Sequence, residues 1–476
     1  MNMFRNWIGG AWTDGADAGQ DINPSDLADP VGDFAIANGR QVDDAFAAAR
    51  AAFPRWAAST AQVRADVLAA IAAELFACRS QLGTLLAREE GKLLAEATGE
   101  VVRASQSFSY FAAEALRLRG DLLPAVRPGV EIEISREPVG VIGVITPWNF
   151  PIAIPAWKIA PALAFGNCVV FKPSEITPAM GWALTDIASR CGVPAGVLNL
   201  VMGGGDVGAA IVDRADAVTF TGSGMTGRRI AARAIERMIP VQLEMGGKNP
   251  LVVLDDADLD QAVEIALNGA FFQTGQRCTA SSRLIVTPAV HDAFVHKLQQ
   301  RLATLTVGPA LDPESGMGPV VSERQLESNL AYVALGRSEG ARCIGGERIE
   351  CRTRGFYMRP ALMLEATNDM RISREEIFGP VASVIAVADY EEALALANDT
   401  PFGLSAGICT RSLKYARHFQ RNAVAGLTMV NLPTAGADYH APFGGRKASS
   451  FGPREQGSVA ADFFTCLKTS YVAASL

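Results

Sequence analysis

The chain has 476 residues, 49% hydrophobic and 20% charged, with a formal net charge of −7. Such a length exceeds one ordinary core and calls for two or three domains, and the apolar content rules out a disordered chain. The acidic balance argues against a nucleic-acid partner, because phosphate binding needs a concentrated basic face.

The first residues, Met1-Asn2-Met3-Phe4-Arg5-Asn6-Trp7, lack a charged segment followed by an apolar one. No stretch approaches the roughly 18 apolar residues of a membrane span, so the sequence reads as cytoplasmic, without membrane partners. Eight cysteines lie scattered at 78, 168, 191, 278, 343, 351, 409 and 466 with no C-x-x-C pair, and there are only four histidines. Neither a disulfide framework nor a metal site is expected.

Residues 41–118 are alanine-rich, with apolar residues at three- and four-residue spacing, and read as ordinary packed helices. Strict alternation over 130–136 predicts a half-buried strand. Nearly continuous apolar runs follow at 139–147, 167–173, 198–201 and 217–221, with helical stretches between them. Strand and helix alternating in this way predict a parallel sheet covered on both faces, hence an α/β fold. Further strands at 251–254 and 282–286 predict a second α/β unit. The alternating tail 463–471 has no hairpin partner beside it in sequence, so it must pair elsewhere, with another subunit as one candidate.

One predicted strand ends in Thr221-Gly222-Ser223-Gly224-Met225-Thr226-Gly227, ahead of a helix over 228–236. This is G-x-G-x-x-G between strand and helix, where bare N–H groups and the helix dipole can hold a pyrophosphate, although a tight turn alone also uses glycines. The fingerprint wants an acidic residue about 20 positions on, which points to Glu244. A rival ribose ligand is Glu175 in Lys172-Pro173-Ser174-Glu175. Cys278, in Gly275-Gln276-Arg277-Cys278-Thr279, stands among small, polar and charged neighbours, and a nearby cation with oriented N–H groups would favour its thiolate. A thiol and a carboxylate to activate it are the minimum kit for covalent catalysis, which competes for Glu244.

These motifs together resemble the aldehyde dehydrogenases over nearly the whole chain. The matching pieces are Thr146-Pro147-Trp148-Asn149-Phe150-Pro151, Lys172 to Glu175, Phe220-Thr221-Gly222-Ser223, Leu243-Glu244-Met245-Gly246-Gly247-Lys248-Asn249-Pro250, Gly275 to Cys278, Glu375-Glu376-Ile377-Phe378-Gly379-Pro380 and Pro442-Phe443-Gly444-Gly445-Arg446-Lys447. The resemblance implies a Rossmann-like NAD-binding domain (1–118 and 137–245), an α/β catalytic domain (246–447) and a small β oligomerisation arm (119–136 and 448–476) joining a homodimer or homotetramer. It implies Cys278 as nucleophile, Glu244 as general base and Asn149 as oxyanion donor. Lys172 and Glu175 would then hold the adenosine ribose, Trp148, Gly222 and Ser223 the phosphates, and Glu376 and Phe378 the nicotinamide half. Ile145, Thr146, Pro147, Ser174, Gly205 and Thr221 complete the implied cofactor site. Gly224 is a departure, since the family often has threonine there.

Plain structural readings stand beside these roles: Asn149 as a turn residue, Lys172 as a strand end, Glu376 as a surface charge, Trp148 as core. A carboxylate at Glu175 accepts from both ribose hydroxyls and repels a 2′-phosphate, so NAD is the expected cofactor, with NADP also accommodated because Lys172 lies near. Within the family the resemblance runs to bacterial α-ketoglutaric semialdehyde (2,5-dioxovalerate) dehydrogenases, through residues 148–158, 275–282 and 431–440. An acid-bearing aldehyde needs a cation, for which Arg277 and His440 are candidates, with Thr279 beside the nucleophile. An aromatic aldehyde would instead use Phe150, Trp157 and Tyr439 as walls. A CoA-acylating enzyme and a non-catalytic homologue are the remaining alternatives, and Glu244 with Cys278 and Asn149 speaks against both.

Overall fold

Strands whose residues are apolar on both faces can exist only between covering layers, and five such segments build the first half of the protein. The structure, a computed structural model, describes residues 3–473. In it Val241–Glu244, Ala217–Thr221, Val141–Ile145, Cys168–Lys172 and Leu198–Leu200 lie parallel in that spatial order. All five are fully buried. The strands expected at 139–147 and 167–173 are shorter at their ends, where Pro147 and Pro173 cannot donate to a ladder. Antiparallel Ser450–Phe451 closes one edge, and Asn6–Ile8 with Ala11–Thr13 the other.

Strand order reverses between Val141–Ile145 and Ala217–Thr221, since the chain builds outward on one side before returning to the other. A crevice therefore opens at their carboxyl ends, the place where parallel sheets bind ligands. Thr146, Pro147 and Trp148 follow one strand into it, and Gly222 and Ser223 follow the other.

A second sheet of seven strands runs Arg342–Gly345, Ala361–Leu364, Val381–Ala386, Ser281–Val286, Asn249–Val253, Ser405–Cys409 and Leu427–Val430, parallel except for the first. The expected second α/β unit is thus present, with its first two strands beginning one or two residues early. A small sheet of Met3–Phe4, Gly32–Ile36 and Asp17–Asp21 had no counterpart in the sequence reading.

The tail finds its partner within the same chain. Thr465–Ala473 pairs antiparallel with Val130–Pro138 along nine residue positions, and Asp121–Pro124 completes the three-stranded sheet. Another subunit is not needed for that pairing. Phe463 and Phe464, expected in the strand, instead end the short helix Ala461–Phe464 and are buried in the first core. Of the segment expected as arm from 448 onward, the part before 465 therefore packs against the first sheet.

Four helices, Gly39–Ala57, Ala61–Ala77, Arg79–Glu90 and Leu94–Ala115, occupy the alanine-rich region. Asn38 and Gln41 form a capping box on the first, and Thr60 caps the second. Among the described residues no helix is long and apolar enough to cross a membrane.

Asn167 fastens the tail to the first sheet. Its fully buried amide accepts from the N–H of Gly140 (3.0 Å) and donates to the carbonyls of Ala162 (3.2 Å) and Phe464 (2.8 Å). Asn167→Ala leaves the Gly140 N–H and the Phe464 carbonyl without this partner, while the Ala162 carbonyl keeps the main-chain N–H of residue 167, and we expect a loss of about 2 kcal/mol in stability. A chemical denaturation midpoint unchanged from wild type would show that this amide does not tie the tail down.

Candidate active site

Before Cys278 the backbone turns through an unusual conformation. Gln273 (φ 52°), Thr274 (φ 56°) and Gly275 (φ 65°) all lie in the left-handed region. Only Gly275 does so at no cost, and a Cβ there would stand 2.3 Å from the carbonyl oxygen of Gly379. The surroundings hold the strained pair in place. Glu96 accepts from the N–H of Gln273 (3.0 Å), and the Thr274 hydroxyl donates to the Gly318 carbonyl (3.1 Å). Beyond the turn, the Asn249 amide donates to the carbonyls of Cys278 (2.8 Å) and Ala280 (2.9 Å), while the Thr434 hydroxyl donates to that of Thr279 (2.6 Å).

So fixed, Cys278 lies where two cavities meet. One, of 340 Å³, is lined by Pro147, Trp148, Asn149, Thr221, Gly222, Ser223, Glu376 and Phe378 among others. The other, of 250 Å³, is a tunnel whose lining includes Phe150, Trp157, Glu244, Arg277 and Thr279. Cys278 is common to both.

Glu244 is the last residue of its strand and faces the tunnel, so it cannot serve as the ribose ligand that the fingerprint spacing suggested. Burial pushes its carboxyl well above the usual range, and the negative charge of Glu455 adds to this; the hydroxyl of Ser450, donating at 2.6 Å, opposes it. The expectation that a cation would favour the Cys278 thiolate needs correction. Burial, then the charges of Glu376 and Glu244, push the thiol up to about 12 against the opposing N–H groups of Cys278 and Thr279. The Arg277 guanidinium donates through Nη2 to the carbonyls of Asn268 and Gly269, and its buried Nε has no partner. Asn149 is buried, and its amide donates to the Gln276 carbonyl at 3.1 Å. An amide nitrogen has two protons, so one remains for an oxyanion.

In the crevice, the helix Gly224–Glu236 begins four residues earlier than expected, with Ser223 as its cap and Gly224 and Gly227 in its first turn. The Trp148 and Phe378 rings meet edge to face at 5.3 Å. Glu376 accepts from the N–H of Gly247 (2.9 Å), and a Cβ on Gly246 would lie 1.9 Å from its carboxylate. Burial pushes the Glu376 carboxyl up to about 7. It is not a surface charge. Lys172 is buried, pairs with the half-exposed Glu175 at 3.4 Å, and its ammonium is lowered chiefly by burial. Ser174 accepts from the N–H of Ile176 (3.2 Å), and Gly205 opens the helix Gly205–Val212, whose Gly208 packs over the Lys172 stem. Ile145 ends its strand, and the hydroxyls of Thr146 and Thr221 are buried without a partner. Unpartnered hydroxyls, a capped helix start and bare glycines are what a dinucleotide would complete.

The family profile described as the aldehyde dehydrogenase family matches residues 12–470. An alpha-ketoglutaric semialdehyde dehydrogenase of Bacillus subtilis (strain 168) is 43% identical, over 99% of this chain and 98% of its own length. The chain belongs to the aldehyde dehydrogenase family. Betaine aldehyde dehydrogenase of Staphylococcus aureus, solved with NAD+, superposes with a TM-score of 0.96 at 33% identity, covering 99% of this chain and 95% of the other. An NADP-dependent enzyme of E. coli also gives 0.96, at 34% identity over 99% and 98% of the two chains. The chain is accordingly an NAD(P)-dependent oxidoreductase acting on aldehydes.

In this aldehyde dehydrogenase the tunnel differs from its sequence-based outline. Tyr439 and His440 do not line it; Ala435, Gly436 and Ala437 do. His440 is exposed and packs on Tyr439, which in turn meets Tyr110. Nor are residues 41–118 only packing helices. One face of Leu94–Ala115 lines the tunnel with Glu96, Gly99, Glu100 and Arg103, at helical spacings of three and four. Buried Lys92 donates to Glu100 (2.6 Å) and to the Asn149 carbonyl (2.7 Å), while Glu100 accepts from the N–H groups of Ile152 and Ala153. Three charges at 96, 100 and 103 in an alanine-rich helix were the available signal.

A thiol held near 12 gains thiolate tenfold for each unit by which the pH rises toward that value. In the cofactor-free enzyme we expect alkylation of Cys278 by iodoacetamide to rise steadily from pH 7 to 10. A plateau below pH 8 would show a pre-formed thiolate.

Proposed function

We propose that this aldehyde dehydrogenase oxidises α-ketoglutaric semialdehyde to 2-oxoglutarate through a covalent thioester on Cys278. The observation carrying this reading is the single thiol shared by two cavities, with Glu244 on the tunnel side. The substrate choice is supported by the 43% identity to the B. subtilis enzyme of that name.

The Cys278 sulfur, ionised as substrate enters, forms a bond to the aldehyde carbon and gives a tetrahedral alkoxide. The spare amide proton of Asn149 and the N–H of Cys278 stabilise that oxyanion; losing one such donor typically costs ~10²–10³ in rate. Pro147, Trp148, Thr221, Gly222, Ser223, Glu376 and Phe378 would hold the dinucleotide, with Lys172 and Glu175 at its ribose and Ile145, Thr146, Ser174 and Gly205 around them. When bound, NAD or NADP supplies the hydride acceptor. Glu244 acts from its ionised form, a minority that burial makes the stronger base, and takes a proton from the water that cleaves the resulting thioester and releases the acid. Exposed Leu122, Leu123, Leu467 and Tyr471 on the three-stranded arm support assembly into a homo-oligomer through that surface.

Across α-ketoglutaric, succinic and glutaric semialdehydes, benzaldehyde and its phenols, we expect the highest kcat/KM for α-ketoglutaric semialdehyde. A preference for the aromatic aldehydes would overturn the substrate reading. NAD is proposed as the preferred cofactor, because the Glu175 carboxylate repels a 2′-phosphate while accepting from ribose hydroxyls. Glu175→Gln should lower the NAD-to-NADP ratio of kcat/KM on the order of tenfold, the effect of removing one modest electrostatic discrimination. An unchanged ratio would remove Glu175 from ribose recognition.

A further inference from the structure

We infer that Arg103 receives the substrate's carboxylate at the outer end of the tunnel and so sets the preference for aldehydes that carry an acid. The inference rests on the substrate reading above and adds the residue responsible for it.

An account of the charges on the tunnel wall leads there. Apart from Glu244, the lining holds four charged side chains: Glu96, Glu100, Arg103 and Arg277. Glu96 is taken up by the N–H groups of Leu93 and Gln273, both at 3.0 Å. Glu100 is taken up by Lys92 and by two main-chain N–H groups. Arg277 is tied through one nitrogen, Nη2, to two carbonyls, while its buried Nε has no partner. Among the described residues, the Arg103 guanidinium has neither a hydrogen bond nor an ion pair. A cation left without a partner, on a wall shared with the apolar side chains of Phe150, Ile154, Trp157 and Phe443, is a site for an anion.

Its place along the helix fits the same role. Glu96 grips the turn that leads to Cys278, and Arg103 lies seven residues further on, roughly 10 Å along the axis. At that end it faces the loop carrying Asp438 and Tyr439, the two groups whose charges act on it. The aldehyde end of a substrate thus meets the nucleophile while the acid end meets the guanidinium. For an α-keto acid the planar fork also matches the ketone oxygen beside the carboxylate, which a point charge would not. Arg277, adjacent to Cys278 and bound to carbonyls, is displaced from the anchoring role expected for it.

The test compares kcat/KM of the cofactor-loaded wild type, Arg103→Gln and Arg103→Met for succinic semialdehyde and for butanal, which has four carbons and no charge. We expect the ratio of the two values to fall on the order of 10- to 100-fold in both variants, mainly through KM for the semialdehyde, as befits a lost charge-assisted bond. Methionine suits the apolar wall, so the test stands should the glutamine variant not fold. Equal losses for both aldehydes, the signature of a packing role, would overturn the inference. So would a ratio unchanged from wild type. If the wild type itself shows no preference for the acid, the substrate reading fails with it; if the wild type prefers the acid and the variants keep that preference, only Arg103's role fails.

Discussion

The chain crosses from one parallel sheet to the other in the turn Glu244-Met245-Gly246-Gly247-Lys248-Asn249, and the site depends on how tightly that crossing is made. A Cβ on Gly247 would stand 2.6 Å from the Cys278 carbonyl, and one on Gly246 would strike the Glu376 carboxylate. Asn249 accepts from the N–H of Ser405 (3.0 Å) while donating to both carbonyls of the nucleophile's loop. One crossing thereby sets the positions of Glu244, Cys278 and the Glu376 carboxylate of the crevice. Two sheets built as separate cores can hold three reactive groups together because their connection has no slack.

Around the crossing, charge is buried partly in pairs, while Lys248 within it has no hydrogen-bond partner. Lys92 with Glu100 braces the Asn149 loop, and Lys158, bound to Glu455 and Thr219, lies beneath Glu244. Burying ions costs free energy that pairing and hydrogen bonds must offset, so such pairs hold geometry more than they add stability. The groups left imperfectly paired are the ones with shifted proton affinity: Glu244, Glu376 and Cys278 all favour their neutral forms. A buried, protonated thiol is chemically quiet, and its reactivity is expressed when substrate and cofactor fill the cavities.

The strands of both sheets were legible because a segment buried on two faces has to be apolar throughout, as Val141–Ile145 and Cys168–Lys172 are. The small sheet containing Asp17–Asp21 was not, since that strand is polar and mostly exposed and the other outer strand, Met3–Phe4, has only two residues. The helix Gly224–Glu236 was placed late because its first turn is rich in glycine, which signals a loop when read alone; capping by Ser223 overrides that signal.

Local sequence determined the family: a cysteine, a carboxylate and an amide in motifs that resemble those of the aldehyde dehydrogenases, with a glycine-rich turn between strand and helix. Tertiary structure decided which charges are free. Arg277 looked available beside Cys278 and is bound to two carbonyls, while Arg103, 174 positions earlier in an alanine-rich helix, faces the tunnel unpaired. It also decided that the terminal strand pairs within its own chain and that the thiol rests protonated. Pairing and desolvation depend on what lies within a few ångströms in space, and spacing along the chain carries little of that information.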